Sequence, residues 1–185
     1  MDALSEKTLS TKDVYSGSFL KVKQDEVQGP DGKVYLREYI QHPGASLIIP
    51  LLDNNKVVMI RQYRHAVKKE FLEFPAGKRD AGEDLLITAQ RELLEETGYT
   101  AKDWKFLTTI HPVIGYSDEH IDIYLAKNLT FSNVKLDAGE FLETVEIEIP
   151  QLLELIQSGH LSDVKTQIAA FWLDKILRGS WNEQS

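Results

Sequence analysis

Glycine, glutamate and arginine recur at fixed intervals between positions 77 and 99 of this chain. Five residues separate the first glycine from the first glutamate, and seven separate that glutamate from the arginine. A compact acidic cluster follows the arginine. The residues at these positions are Gly77, Glu83, Arg91, Glu92, Glu95, Glu96 and Gly98. At typical usage of about 7% each, seven specified residues match by chance at a given start with a probability of about 10⁻⁸. The spacing therefore constrains the fold and chemistry of this segment more than any property of the composition.

The acidic cluster is predicted to lie on a helix. Residues 83–97 include good helix formers and no proline, and Gly98 follows where a helix commonly ends. Glu92 and Glu96 are one turn apart and project from the same side, and Glu95 reaches the same region. Three carboxylates this close repel one another unless a positive charge lies among them. A hard divalent cation such as Mg²⁺ takes oxygen ligands and bridges them to phosphate.

Taken alone, a run of glutamates is usually a solvated helix face. The flanking residues favour a site instead. Gly77 precedes the helix at a point where the backbone must approach a ligand closely, and Arg91 is placed to pair with a neighbouring glutamate. With these residues the stretch resembles the Nudix box, G-x5-E-x7-R-E-U-x-E-E-x-G-U, in which U is a bulky apolar residue. The chain is thus similar to the Nudix hydrolases, metal-dependent enzymes that cleave a nucleoside diphosphate linked to another group.

The resemblance implies the metal ligands. Glu92 and Glu96 would be the main ligands of Mg²⁺, for which Mn²⁺ is an expected substitute, and Glu95 an additional one. The carbonyl of Ala76, just before the first glycine of the box, would be a further ligand. Glu83 is expected to have a structural role, holding the loop onto the helix.

The resemblance also implies a base for the attacking water. In related enzymes the base comes from a mobile loop after the core strands, which here is 137–143. Glu140 is the first candidate, and Glu143 is the second, either as the base or as a further metal ligand. The alternative is that both are solvating charges at a strand edge.

Three further stretches, 61–64, 73–77 and 111–119, resemble the ADP-ribose and nucleoside diphosphate sugar pyrophosphatases within that family. The last stretch departs from the pattern of this group. Two residues separate Pro112 from Gly115, where the group commonly has proline and glycine together. Including these stretches, the resemblance covers nearly the whole chain.

The same group implies substrate-binding residues. Arg64 would contact the diphosphate or the terminal ribose, and Glu73 would face the site from the strand before the box. Glu119 would bind sugar hydroxyls. Arg37 would reach the nucleotide from the other subunit of a homodimer whose N-terminal strands are exchanged. From the residues alone, the arginines also fit exposed strand positions, and Glu119 fits a solvated turn.

The activity implied is hydrolysis of ADP-ribose to AMP and ribose 5-phosphate. An alternative is a preference for GDP-mannose or another nucleotide sugar. A second alternative is a Nudix-like domain that senses a nucleotide without cleaving it, although such domains usually lose glutamates of the box. An RNA or cap pyrophosphohydrolase is opposed by the acidic charge and by the absence of a basic stripe.

The composition excludes several other classes of protein. The 185 residues carry a formal net charge of −8, which disfavours binding to nucleic acid or to anionic membranes. The chain has no cysteine, so disulfides, thiolate catalysis and zinc sites with sulfur ligands are excluded. No apolar run approaches the roughly 20 residues of a membrane helix, and the N-terminus lacks a signal-peptide pattern. A cytoplasmic protein is expected.

Turn signals and apolar patterns predict mixed strands with two or three helices, hence an α+β fold. The family implies an α/β/α sandwich with a mixed sheet and an N-terminal β extension. The expected organisation is a strand extension over 1–44 for dimerisation and substrate binding, a Nudix domain over 45–180 and a tail over 181–185. The polar first 12 residues are expected to be loosely structured.

Overall fold

The computed structural model describes residues 3–133 and 141–181 and has the predicted α+β architecture. In chain order, its elements are β1 (Lys7–Ser16), β2 (Lys21–Gln28), β3 (Val34–Gln41), β4 (Ala45–Pro50), β5 (Lys56–Arg64), β6 (Lys69–Glu73), β7 (Ala76–Lys78), α1 (Leu85–Thr97), β8 (Tyr99–Ile110), β9 (Ile121–Phe131), β10 (Leu142–Glu148), α2 (Ile149–Gln157) and α3 (Val164–Leu177). None of the helices in the described ranges has the length and apolar character needed to cross a membrane.

The chain divides into two compact units. One combines Met1–Pro43 with His111–His120, and the other combines Gly44–Ile110 with Ile121–Ser185. The first unit contains the sheet β1-β2-β3. The second contains the sheets β10-β5-β6 and β7-β4-β9-β8, together with the helices α1, α2 and α3. In the four-stranded sheet β4 and β9 are parallel and the outer pairs are antiparallel, so this sheet is mixed as predicted.

Helices cover both faces of that mixed sheet. β4 is buried along its whole length, which explains why its sequence is a continuous apolar run and not an alternating one. Alternate side chains of β4 and β9 enter two different cores. The core that includes α2 and α3 contains Leu47, Ile49, Ile123, Leu125, Leu152 and Leu173. The core beneath α1 contains Ile48, Tyr124, Ala126, Ala89 and Leu93. The layering is that of an α/β/α sandwich.

α1 begins slightly later than predicted and ends where predicted. Asp84 is its N-cap, and the side chain accepts a hydrogen bond of 2.9 Å from the backbone N–H of Leu86. At the other end Gly98 has φ 74° and donates its N–H to the carbonyl of Leu94. This left-handed conformation favours glycine and stops the helix. Glu83 therefore lies in the loop before the helix.

The expectation that the first 12 residues are loosely structured is wrong from Lys7 onward. Lys7–Ser16 forms β1 and pairs with β2 along its length, although all ten of its residues are exposed. Backbone pairing, which does not require an apolar pattern, orders this strand, so hydrophobic periodicity gave no sign of it. The turn predicted between β2 and β3 is confirmed, since Gly29 and Lys33 are joined by a 2.9 Å backbone hydrogen bond.

Candidate active site

Glu92 of α1 packs directly on the backbone of β7. A Cβ atom added to Gly77 would lie 2.0 Å from the carboxylate carbon of Glu92 and 2.0 Å from its Oε1. The glycine is thus required by a close approach, as the sequence suggests, and what approaches it here is a glutamate side chain. The Glu92 side chain is only 10% exposed.

Glu96, one turn further along α1, binds the same segment. Its Oε2 accepts a hydrogen bond of 2.9 Å from the backbone N–H of Ala76, and the residue is 3% exposed. The carbonyl of Ala76 is part of the following peptide bond, which joins Ala76 to Gly77. Two predicted acidic ligands and the predicted backbone ligand are therefore adjacent in the structure.

Arg91 joins three glutamates and a backbone carbonyl. Its Nε and Nη2 donate to the two carboxylate oxygens of Glu83 at 3.1 and 3.0 Å. Its Nη1 donates to Glu92 at 2.7 Å and to Glu95 at 3.0 Å. Nη2 also donates to the carbonyl of Lys78 at 3.0 Å. The predicted pairing of Arg91 with neighbouring glutamates is confirmed, and it ties Glu95 to the same cluster as Glu92.

Glu83 fastens the loop before α1. Its Oε2 accepts hydrogen bonds from the hydroxyl of Thr88 at 2.8 Å and from the backbone N–H of Asp80 at 3.2 Å. Hydrogen bonds from Arg91 above all, then from Thr88 and Asp80, lower the pKa of Glu83 to about 2 against the opposing effect of desolvation. The hydrogen bond to Glu83 above all, together with the charge and hydrogen bond of Glu92 and the hydrogen bond to Glu95, raises the pKa of Arg91. This is the structural role expected for Glu83.

Arg91 supplies the positive charge among these carboxylates. Within residues 3–133 and 141–181, no group of three or more His, Asp or Glu side chains is arranged to hold a metal ion. The guanidinium takes an oxygen from each of Glu92 and Glu95, which relieves their mutual repulsion. Glu92 and Glu96 are the carboxylates that lie against the backbone of β7, next to the carbonyl of Ala76, where their oxygens could bind a metal.

Glu73, at the end of β6, is a buried carboxylate held by two cations. Nε and Nη2 of Arg64 donate to its two oxygens, each at 2.7 Å, and Nζ of Lys165 donates to Oε2. Burial raises the pKa of Glu73, but the hydrogen bonds and charges of Arg64 and Lys165 together outweigh burial and lower it. The hydrogen bond to Glu73 raises the pKa of Arg64, and the charge of Glu96 contributes as well. Arg64 and Glu73 thus form one bidentate pair within the electrostatic reach of α1.

Two other candidates belong to the first unit. Arg37 of β3 donates from Nε to Glu6 at 3.0 Å. The backbone N–H of Glu119 donates to the hydroxyl of Ser117 at 3.1 Å, and the carboxylate lies 3.8 Å from Nε2 of His42. Their roles toward a substrate stay predictions.

Of the two candidate bases, only Glu143 lies within the described residues. Glu143 lies on β10, opposite Arg61 of β5, and the two side chains form an ion pair of 3.1 Å. The side chain of Glu143 is 68% exposed. Glu140 lies outside the described residues, so its role also stays a prediction.

Sequence reasoning did not connect the first turn of α3 with Glu73 and the residue after it. Asp163 caps this helix by accepting from the backbone N–H of Thr166 at 3.1 Å, and it also contacts Nζ of Lys165 at 2.9 Å. The hydroxyl of Thr166 accepts from the backbone N–H of Phe74 at 3.1 Å. One signal was available, because a lysine in the first turn of a helix opposes the helix dipole and needs an acidic partner.

Comparison with known proteins identifies the family. The model of the NUDIX domain matches residues 41–165. The chain belongs to the Nudix hydrolase family. A second model, the nucleoside diphosphate sugar hydrolase N-terminal domain, matches residues 6–40.

Two relatives and one solved structure resemble this Nudix hydrolase over most of its length. It is 39% identical over 170 residues to the Methanol dehydrogenase activator of Bacillus methanolicus, covering 91% of this chain and 92% of that protein. It is 37% identical over 175 residues to the ADP-ribose pyrophosphatase of Bacillus subtilis strain 168, covering 94% and 95%. A crystal structure of an ADP compounds hydrolase shares the fold with a TM-score of 0.84 at 24% identity, covering 95% and 96%.

The donor set beside β7 fits the divalent metals that Nudix hydrolases generally use. Glu92 and Glu96 offer carboxylate oxygens, and the peptide between Ala76 and Gly77 offers a carbonyl oxygen. Oxygen donors of this kind suit hard cations, and the chain has no thiolate that would favour a softer metal.

Proposed function

We propose that this Nudix hydrolase cleaves the diphosphate bond of nucleoside diphosphate sugars, with ADP-ribose as its substrate and AMP and ribose 5-phosphate as products. The packing of Glu92 and Glu96 against the backbone of Ala76 and Gly77 carries the proposal, because it assembles oxygen donors where the Nudix box predicts them. The ADP-ribose pyrophosphatase of B. subtilis, which matches over 94% of this chain, supports the choice of substrate.

Glu92, Glu96 and the carbonyl of Ala76 would hold Mg²⁺, with Mn²⁺ as a substitute and Glu95 as an additional ligand. When bound, a divalent metal neutralises charge on the diphosphate and lowers the pKa of a water molecule. Arg91 keeps Glu92 and Glu95 oriented through hydrogen bonds of 2.7 and 3.0 Å. Because these carboxylates are already held in place, little reorganisation is needed when the metal and substrate bind.

Arg64 would bind the diphosphate. Its contacts with Glu73 use two N–H groups, and the guanidinium carries five. Planar guanidinium groups bind phosphate oxygens through paired hydrogen bonds. Hydrolysis then forms a bond from the water oxygen to one phosphorus, breaks the bond from that phosphorus to the bridging oxygen, and leaves the bridging oxygen on the other phosphate. The water proton passes to a base, for which Glu140 is our first choice and Glu143 the second.

We also propose a homodimer in which the N-terminal strands are exchanged. Arg37 would reach the nucleotide of the other subunit after exchange of the N-terminal strands, and Glu119 would bind sugar hydroxyls. All ten residues of β1 are exposed in the single chain, which supports a partner for this sheet. A cytoplasmic location belongs to the same proposal.

The test is a product assay with the purified protein and a panel of ADP-ribose, GDP-mannose, UDP-glucose and NAD. We expect Mg²⁺-dependent formation of AMP and ribose 5-phosphate, with the highest kcat/KM for ADP-ribose. Turnover in ¹⁸O-labelled water identifies the attacked phosphorus by which product gains the label. Tight binding of ADP-ribose without turnover would instead identify a nucleotide sensor, and a higher kcat/KM for another compound would overturn the substrate assignment.

A further inference from the structure

Four charged side chains of alternating sign form a chain that runs from β5 to the start of α3. The members, in order, are Arg64, Glu73, Lys165 and Asp163. The side chain of Glu73 is 2% exposed, those of Lys165 and Asp163 are each 16% exposed, and that of Arg64 is 41% exposed. The end of the network at α3 is therefore largely buried. The guanidinium of Arg64, which we call the open end, is the part most exposed to solvent.

The open end presents donors that the described protein does not use. Arg64 binds Glu73 through Nε and one hydrogen of Nη2. Its other three N–H groups have no hydrogen-bond acceptor among residues 3–133 and 141–181. Two of these groups, one on Nη1 and one on Nη2, lie on the Nη1–Nη2 edge of the guanidinium, and this edge can pair with two oxygens of a phosphate.

Lys165 attaches the buried carboxylate to a rigid helix. Oε2 of Glu73 accepts from both Arg64 and Lys165, so the lysine restrains the oxygen that helps to orient the guanidinium. Lys165 is in the first turn of α3, where its charge opposes the helix dipole. Contacts with Asp163 and Glu73 offset this cost, which explains how a lysine is tolerated there.

The same helical turn also holds the backbone next to Glu73. The hydroxyl of Thr166 accepts from the N–H of Phe74, and both groups are buried. The side chain of Glu73 and the backbone of Phe74 are thus both anchored on α3, one to Lys165 and the other to Thr166. Because both the side chain of Glu73 and the backbone that follows it are fixed, the carboxylate holds its partner arginine in one orientation.

We propose that Lys165 is a positioning residue, which through Glu73 fixes the guanidinium of Arg64 for contact with the substrate diphosphate, while Asp163 fixes Lys165. This inference rests on the proposed function, in which Arg64 binds the diphosphate. Lys165 itself does not touch the substrate.

The first experiment removes the ammonium group and keeps the length of the side chain. Lys165→Met should lower kcat/KM for ADP-ribose by about 10- to 100-fold, the range expected when a binding group is misplaced by about 1 Å. Lys165→Arg should recover much of the loss. Lys175→Met, at an exposed position of the same helix, is the matched control and should behave as the wild type. Equal losses in the Lys165→Met and Lys175→Met variants would overturn the inference.

A double-mutant cycle separates positioning from a general structural effect. In an Arg64→Ala background, Lys165→Met should cause no further fall in kcat/KM, because the residue through which it acts is gone. Full additivity of the two losses would contradict the inference. If Lys165→Met does not fold, as judged by circular dichroism, Asp163→Asn takes its place in the same cycle. It keeps a capping oxygen for Thr166 and removes the charge beside Lys165.

The two proposals fail in different ways. Absence of ADP-ribose hydrolysis by the wild type would remove the proposed function. Hydrolysis that falls in Arg64→Ala and is unaffected by Lys165→Met would remove the positioning role alone. Calorimetric binding of ADP-ribose in the presence of EDTA adds a readout without turnover, in which Lys165→Met should weaken binding and Lys175→Met should not.

Discussion

The carboxylate of Glu92 occupies the space that a side chain at Gly77 would need, with its carbon 2.0 Å from the ideal Cβ position. The group that Gly77→Ala would meet is the end of a side chain and not backbone, so the protein should fold, with a loss of stability toward the low end of the roughly 1–3 kcal/mol of overpacking. The displaced carboxylate is a proposed metal ligand. Gly77→Ala should therefore lower kcat and Mg²⁺ affinity strongly, while the unfolding free energy falls only modestly. Thermal unfolding, kcat and Mg²⁺ titration test this together.

Gly115→Ala is the steric control for that comparison, since a Cβ there meets nothing within 4 Å. It should leave the unfolding temperature near that of the wild type. A Gly77→Ala protein with unchanged metal affinity would show that Glu92 does not bind the metal from its position over Gly77.

Replacing either buried acid of α1 by its amide should reduce kcat by at least about 10²-fold, as for other groups that stabilise charge in a transition state. Glu96→Gln is informative because the amide oxygen still accepts from the N–H of Ala76, so the local fold is preserved. Glu92→Gln keeps an acceptor for Arg91. Glu154→Gln, at an exposed position on α2, controls for the loss of one negative charge. Unchanged turnover in both box variants would contradict the proposed metal site.

Glu83 should make folding stability depend on pH in the acid range. Its pKa is lowered from 4.5 to about 2 in the folded protein, chiefly by Arg91. The ionised carboxylate therefore stabilises the fold fully above about pH 4.5, and this contribution is lost as the pH falls toward about 2. Glu83→Gln should be less stable at neutral pH and should show a flatter decline of stability through that window. Urea unfolding at several pH values measures both, and an unaltered slope would show that Glu83 is not the titrating group.

Arg91→Lys should lower both stability and activity, although the charge is conserved. One ammonium group cannot reproduce the planar set of donors that binds three carboxylates and the carbonyl of Lys78. Loss of hydrogen bonds to charged partners should cost about 1–3 kcal/mol of unfolding free energy. Arg178→Lys, which changes an exposed pair with Asp174, is the matched control and should change stability little. Equal effects at the two sites would show that Arg91 is only a surface charge.

The box helix could be predicted in detail because its signals are local. The spacing of glutamates on a helix determines that Glu92 and Glu96 share a face, and Gly98 carries its own reason for ending the helix. The start was predicted only approximately, because Asp84 takes the N-cap position and leaves Glu83 in the loop. Boundaries of this kind depend on which of several polar side chains caps the helix.

Contacts between distant segments could not be predicted. Lys165 and Glu73 are far apart in sequence, and no local pattern shows that they share a buried network. β1 was also missed, because its order comes from backbone pairing with β2 and its side chains are exposed. The first contact joins residues that are 92 positions apart, whereas the second joins consecutive strands through backbone groups, which the side-chain pattern does not show.

The parallel pairing of β4 with β9 has a consequence for how the chain acquires its fold. Ala45 pairs with Ile121, so two residues that are 76 positions apart (121 − 45) must come together before the central strands of the mixed sheet meet. Contacts of such long range slow folding, since the entropy of closing the loop is lost before the pairing is gained. During synthesis on a ribosome, β4 emerges well before its parallel neighbour β9. The apolar side chains of β4, which are buried in the folded protein, are accessible to chaperones and prone to aggregation during that interval.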